Sequence, residues 1–202
     1  MRGRLKENIR NHSLRLPLAA AGRRIYYGDT NIELAAELHT PILDKIMQLI
    51  THLGDAGIIW IILTIVMILI PKTRKSGVIM AAALIVDVIL CNVILKNLIA
   101  RVRPYDVNTA VQILVAKPKD FSFPSGHTAA SFASVTALYL AGEKKLWKPA
   151  LALAILIAFS RMYLYVHYPT DILSGVIFGS LSAWIGYQCS KKCSTFFKSK
   201  RP

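Results

Sequence analysis

The chain has 202 residues, 54% of them hydrophobic, with a mean hydropathy of +0.45 and a formal net charge of +14. Its apolar residues fall in long uninterrupted blocks, which excludes transmembrane strands and points to an all-α, polytopic transmembrane helix bundle. The basic residues lie between the blocks and at the ends, so the charge reads as membrane anchoring, with no nucleic-acid partner.

The first 30 residues carry Arg2, Arg4, Lys6, Arg10, Arg15, Arg23 and Arg24 around an apolar patch, 16–21, that contains Pro17. The patch is too short to span a bilayer or to serve as a signal-peptide core, and this segment is expected to stay on the mature protein. Thr40 and Pro41 then read as N-cap and first residue of an amphipathic helix. Its apolar side is Ile42, Ile46, Leu49, Ile50 and Leu53, opposite Asp44, Lys45, Gln48 and His52. This helix is expected to lie in the membrane interface and to lead through Gly54 and Asp55 into the first span.

Five spans are predicted, at about 57–70, 77–100, 124–141, 146–166 and 169–188, each near or somewhat below the ~20 residues a bilayer needs. The chain thus divides into a basic N-terminal segment with the interfacial helix (1–55), a transmembrane domain (56–190) and a basic tail (191–202). Lys72, Arg74 and Lys75, then Lys144, Lys145 and Lys148, then Lys191, Lys192, Lys198, Lys200 and Arg201 mark three cytoplasmic segments. Alternation places the connections 101–123 and 167–168 on the outer side. Five spans with a cytoplasmic C-terminus put the N-terminus outside, against its basic charge; a sixth, weakly apolar crossing or a surface-lying N-terminus resolves the conflict. Cys91, Cys189 and Cys193 form no disulfide framework and read as free thiols.

Polar residues punctuate these spans where chemistry is expected. In the second, Asn92, Lys96 and Arg103 fall within about 40° of one another if the helix stays regular to Pro104, which makes a basic stripe suited to a ligand. Arg101 reads as a cation snorkelling at the helix end. Asp87 lies about 180° from Lys96 on such a helix and is expected to be structural, either protonated or paired with a neighbouring helix. The outer loop 105–123, with Lys117, Lys119, Phe121 and Phe123, reads equally as a greeting surface for an anionic headgroup or as a solvated loop.

The stretch F-S-F-P-S-G-H-T-A-A-S, 121–131, resembles an anion site. Pro124 suits a first helical turn, whose amides lack intrahelical partners and carry the positive end of the helix dipole. Gly126 lets a ligand approach, Ser125 adds a hydroxyl, and His127 can exchange a proton near neutral pH. At the end of the fourth span Ser160 and Arg161 lie inside the helix, His167 stands at its mouth, and Pro169 opens the last helix with Asp171 in its first turn. Asp171 can hold the N–H of one His167 ring nitrogen and leave the other free to attack. Gly175, Gly179, Ala183 and Gly186 permit close helix packing in the final span.

In order and spacing these residues match K-x6-R-P, P-S-G-H and S-R-x5-H-x3-D, and between positions 96 and 171 the chain resembles the membrane branch of the type 2 phosphatidic acid phosphatase superfamily. The resemblance implies a phosphatase without metal or other cofactor, with His167 as nucleophile, Asp171 orienting it and His127 protonating the leaving oxygen. Lys96, Arg103, Arg161, Ser125 and the Gly126 amide would hold the phosphate. The implied substrate is a lipid phosphate in the bilayer: undecaprenyl diphosphate first, phosphatidylglycerophosphate or phosphatidate next. A catalytically silent lipid-binding or transport protein on the same scaffold would be expected to have lost His127, His167 or Asp171, all of which are present.

Overall fold

In a computed structural model, residues 39–199 are described apart from 110 and 112. The N-terminal segment 1–38, with the question of a sixth crossing, and the end of the basic tail lie outside the described residues. All the regular structure described is helical. The first helix, α1 (Pro41–Leu53), starts as the sequence predicts: Pro41 leads it, and the Thr40 hydroxyl accepts from the Leu43 amide at 3.3 Å. Its apolar residues Ile42, Ile46 and Leu49 face outward, while Met47 and Thr51 are buried against the bundle.

Gly54 and a 3-10 turn, Asp55–Gly57, then bend the chain by 42° into α2 (Ile58–Leu69). Ala56 and Gly57 take φ of 52° and 69° in this turn, a left-handed conformation that is strained for the alanine and free for the glycine. The next helix runs as α3 (Arg74–Asp87), a π-helical stretch (Val88–Leu95) and α4 (Lys96–Ile99). Short α5 (Pro104–Val107) precedes a long loop, followed by α6 (Gly126–Leu140), α7 (Trp147–Tyr163) and α8 (Pro169–Ser199).

Helix α6 is central, packed on α3, α7 and α8, and α8 lies along α3 as well. The small residues of α8 make this approach feasible: a Cβ on Gly179 would stand 2.2 Å from the Ala129 carbonyl oxygen, and one on Gly186 would stand 2.6 Å from the Ala83 nitrogen. Trp60, Met80, Leu138, Ile157 and Ala183 fill the core, and the Trp60 indole N–H, which needs an acceptor once buried, donates to the Ser131 hydroxyl at 2.9 Å. Ile58, Ile61, Ile62 and Ile65 of α2, Ile89, Val93 and Ile94 of the π-helical stretch, and Ile177, Leu181 and Trp184 of α8 are exposed. Such a belt, with small residues at the close helix contacts inside it, suits lipid as the surrounding medium.

Two helical stretches, Arg74–Val107 and Pro169–Lys192, are long and apolar enough to cross a membrane, and the bent pair of α1 and α2 makes a third if taken as one span. The helices α2, α6 and α7, at 12, 15 and 17 residues, fall short of the ~20 that a crossing takes.

Several boundaries differ from the sequence reading. Ser125 stays extended as N-cap, so α6 begins at Gly126 and Pro124 lies outside it. Helix α7 stops at Tyr163 because Tyr165, at φ 57°, turns left-handed, and the Leu164 and Val166 amides cap the carbonyls of Ser160 and Arg161. Helix α4 stops at Ile99 for the same reason, with Ala100 at φ 47°, so no regular helix reaches Pro104.

Candidate active site

The stop at Ala100 decides how the first cations are placed. Lys96 remains on the helix, while the chain reverses and sends Arg103 in from an extended segment, where its guanidinium is fixed by backbone acceptors. Arg103 donates from Nε to the Asp120 carbonyl at 2.8 Å and from one terminal nitrogen to the Val166 carbonyl at 2.8 Å. Its other terminal nitrogen donates to an Asp120 carboxylate oxygen at 2.6 Å, and the second oxygen of that carboxylate accepts from Lys96 Nζ. Lys96 and Arg103 do converge, then, but through a loop acid and not through one regular helical stripe. Burial alone would raise the Asp120 pKa; hydrogen bonds and charge from Lys96 and Arg103 outweigh it and hold the group at about 2.

His167 lies in the five-residue connection between α7 and α8 and is fully buried. Its Nε2 is 3.3 Å from Arg103, which can only donate, so Nε2 is the acceptor and the ring proton belongs on Nδ1. Nδ1 faces the Asp171 carboxylate at 3.6 Å, too far for a formed hydrogen bond, and has no other partner among the described residues. Asp171 itself is clamped: Arg101 donates to one oxygen at 2.7 Å, and the Ser122 hydroxyl (2.5 Å) and Tyr168 amide (3.0 Å) donate to the other. Arg101 also donates to Thr170 at 2.6 Å and stacks on the Tyr168 ring at 3.9 Å. It is a partner of the site and not the snorkelling cation of the sequence reading, because the turn at Ala100 points it back at α8. Burial is the dominant influence on His167 and, with Arg103 and Arg161 nearby, outweighs Asp171 and lowers its pKa to about 3, so the imidazole is neutral at neutral pH.

His127 stands in the first turn of α6, opposite the bend between α1 and α2. Its Nε2 is 2.9 Å from an Asp55 oxygen, while His52 holds the other oxygen at 2.7 Å. Burial pushes the Asp55 pKa up, and the hydrogen bonds from the two histidines reverse this, leaving it lowered. Gly54 allows this approach: a Cβ there would come within 2.8 Å of the His127 ring. Arg161, in the last turn of α7, donates to the Thr51 hydroxyl at 2.6 Å, and its Nε has no partner among the described residues.

These groups surround one cavity of about 630 Å³. Lys96, Arg103, Gly126, His127, Arg161 and His167 line it, so six of the eight sequence-predicted residues meet there. Asp171 lies behind His167. Ser125 is buried at the head of α6, where its hydroxyl accepts from Thr128 at 3.0 Å and its amide donates to the Asp171 carbonyl. The loop between α5 and α6 walls the cavity through residues 115–118 and Asp120.

Asp87 lines the same cavity, which corrects its placement away from Lys96. The π-helical turns between them each take up about one extra residue, and this rotates Asp87 back toward the Lys96 side. Both its oxygens lack an N–H or O–H partner among the described residues, so pairing with a neighbouring helix is not what holds it. Asp55, Asp120, Arg101, Ser122 and Thr51 were missed by sequence reasoning. Asp55 and Arg101 sit at helix breaks and Asp120 and Ser122 in the long loop, where periodicity carries no information, while Thr51 is a polar residue on the buried side of α1. Among the described residues no three His, Cys, Asp or Glu side chains converge as metal ligands.

A family model for the PAP2 superfamily matches residues 75–194. The undecaprenyl-diphosphatase of Sulfolobus acidocaldarius is 29% identical over 159 residues, 78% of this chain and 75% of that protein. Phosphatidylglycerophosphatase B of Bacillus subtilis is 35% identical over 181 residues, covering 82% and 86%. The crystal structure of a transmembrane PAP2-type phosphatidylglycerolphosphate phosphatase from Bacillus subtilis superposes with a TM-score of 0.65 at 30% identity, over 88% of this chain and 92% of that one. With half the chain inside the family model and the same helical fold around the motifs, this protein belongs to the PAP2 superfamily and is a phosphatase of its membrane lipid-phosphatase branch.

Proposed function

We propose that the protein is a multi-pass enzyme that removes the terminal phosphate of a membrane lipid at the outer face of the cell membrane, through a phosphohistidine on His167 and without a metal ion. The observation that carries this reading is the meeting of three cations and two histidines around one cavity with an apolar inner wall, Ile61, Leu84, Val88 and Ala130. Ile61 and Val88 also belong to the exposed apolar belt, so a lipid tail has a continuous apolar path from the site to the bilayer. The basic segments at 72–75, 144–148 and 191–202 argue for a cytoplasmic side opposite the site, with five spans between.

In the proposed reaction the phosphoryl group is held by Lys96, Arg103, Arg161 and the first-turn amides of α6, cations and dipoles already in place before charge develops. The Nε2 lone pair of His167 attacks phosphorus, the bond to the leaving oxygen breaks, and that oxygen takes a proton from the His127 ring. Nδ1–H, facing Asp171, compensates the charge that develops on His167. Water then attacks the phosphohistidine, gives its proton to His127, and the P–N bond breaks, returning both rings to their starting states. Ser125 contributes to phosphate binding once its hydroxyl turns from Thr128. Asp55 supports the protonated form of His127.

Undecaprenyl diphosphate is the first candidate substrate and phosphatidylglycerophosphate the second, the latter favoured by the 35% identity to a phosphatidylglycerophosphatase. Phosphate release by the purified protein in detergent, from undecaprenyl diphosphate, phosphatidylglycerophosphate, phosphatidate and a soluble sugar phosphate, ranks them, with His167→Ala as blank. Turnover of a lipid phosphate that is lost in the blank and unaffected by EDTA is expected. Turnover restored by Mg²⁺ after EDTA would sink the metal-free mechanism, and no turnover on any lipid would bring forward a lipid-binding or transport role.

A further inference from the structure

The cations proposed to hold phosphate are not free in the empty site. The Asp120 carboxylate bridges them, one oxygen to Lys96 and the other to Arg103 at 2.6 Å, much as two oxygens of a phosphoryl group would. Lys96 and Arg103 are both buried, at 6% and 3% exposure, whereas the Asp120 side chain is about half exposed, at 51%. The cations are therefore fixed in the wall and the acid is the partner able to leave.

The backbone around Asp120 is anchored independently of its side chain. Arg103 holds the Asp120 carbonyl at 2.8 Å and reaches the Phe121 carbonyl at 3.3 Å, and the Ser122 amide donates to the Arg101 carbonyl at 2.8 Å. Rotation about the Asp120 side-chain bonds can withdraw the carboxylate without unfolding the loop. The two cations keep this group ionised down to about pH 2, so it carries its charge wherever the enzyme works.

We propose that Asp120 is a built-in competitor for the phosphate pocket. It occupies Lys96 and Arg103 when the site is empty, swings toward solvent as a phosphate-bearing ligand enters, and returns as inorganic phosphate departs. Its role is to set affinity for phosphate and to help clear the product; it takes no part in bond making or breaking. This rests on the reading of Lys96 and Arg103 as phosphate-holding groups. An acid that only braced the two cations would act the other way, since its removal would loosen the pocket and weaken phosphate binding.

The size of the effect follows from competition. If the carboxylate occupies the cations about nine-tenths of the time, only about a tenth of the protein is competent at any moment, and the apparent Kd for phosphate is raised about tenfold. The same occupancy limits inhibition by product.

The test is the affinity of the full-length protein in detergent for orthovanadate and for inorganic phosphate, measured by isothermal titration calorimetry, which needs no lipid turnover. Wild type, Asp120→Asn, Asp120→Ala and Asp120→Glu are compared. Tighter binding by about tenfold in Asp120→Asn and Asp120→Ala is expected, with near wild-type affinity in Asp120→Glu and a lowered KM for lipid phosphate in the first two. Because Asn and Ala both remove the charge, either variant suffices if the other fails to fold. Unchanged or weaker binding in the folded neutral variants overturns the competitor role and leaves the phosphatase reading standing. Absence of vanadate and phosphate binding in all four proteins would overturn the phosphate-pocket reading, and the competitor with it.

Discussion

The two histidines line one cavity and are supported in opposite ways. His167 is buried and backed by a carboxylate that is clamped from three sides by Arg101, Ser122 and the Tyr168 amide. His127 is partly exposed and meets Asp55, which is itself half exposed, shared with His52, and carried on a turn with two left-handed residues. The nucleophile role proposed for His167 needs a fixed direction and a neutral ring, which rigid burial provides. The proton-transfer role proposed for His127 needs contact with water and a partner that tolerates both states, which the open bend provides.

Breaking the rigid side is expected to cost most. Asp171→Asn should slow phosphoenzyme formation on the order of 10³-fold, because the negative charge facing Nδ1–H is lost and the amide can turn its NH2 toward Nδ1; rapid-quench measurement of the first turnover checks this, and an unchanged rate removes the orienting role. On the His127 side, Asp55→Asn should lower kcat about 10²-fold for a lipid phosphate with a poor leaving group. Far less should be lost with 4-nitrophenyl phosphate, whose leaving oxygen needs no proton, so an equal loss on both substrates would place Asp55 outside proton transfer. Arg101→Gln leaves Ser122 and the Tyr168 amide on Asp171, and about a tenfold loss in kcat with little change in KM is expected from the loosened clamp.

The smallest effects concern protonation and stability. His167 has its pKa lowered in the folded protein, so the unfolded chain takes up a proton first as pH falls. Its contribution to stability is complete above about 6.5 and is lost as pH drops toward about 3. The acid limb of a kcat/KM profile between pH 5 and 7 should therefore survive Asp171→Asn unshifted and belong to a group other than His167; a limb that moves with this substitution would contradict neutral burial. Asp87 is buried without an N–H or O–H partner, and Asp87→Leu, which removes both oxygens without adding an unpaired donor, should raise stability by about 1 kcal/mol, seen as a later unfolding transition in detergent.

The contrast also explains what could be read from the sequence. The apolar helices were legible, as were six of the eight predicted site residues that line the cavity, because apolar blocks mark buried and lipid-facing helices and the motif residues sit at spacings tied to helix ends. The left-handed Ala100 and Tyr165 were not, since nothing in an alanine or a tyrosine announces such a turn, and those two positions decide where Arg101, Arg103 and His167 point. The π-helical stretch was equally silent, so angles computed at 100° per residue placed Asp87 on the wrong side. Asp55 and Asp120 lie in connections without periodicity, and their partners His127 and Lys96 are 72 and 24 residues away in sequence.

The most direct test of the account is to trap the phosphorylated enzyme. Protein mixed with lipid phosphate labelled in the terminal phosphoryl group, quenched in denaturant at alkaline pH within one turnover and mapped by mass spectrometry, should carry an acid-labile label on His167 that is lost in His167→Ala. Steady turnover with no label on His167, or label on another residue, would contradict the assignment of His167 as nucleophile.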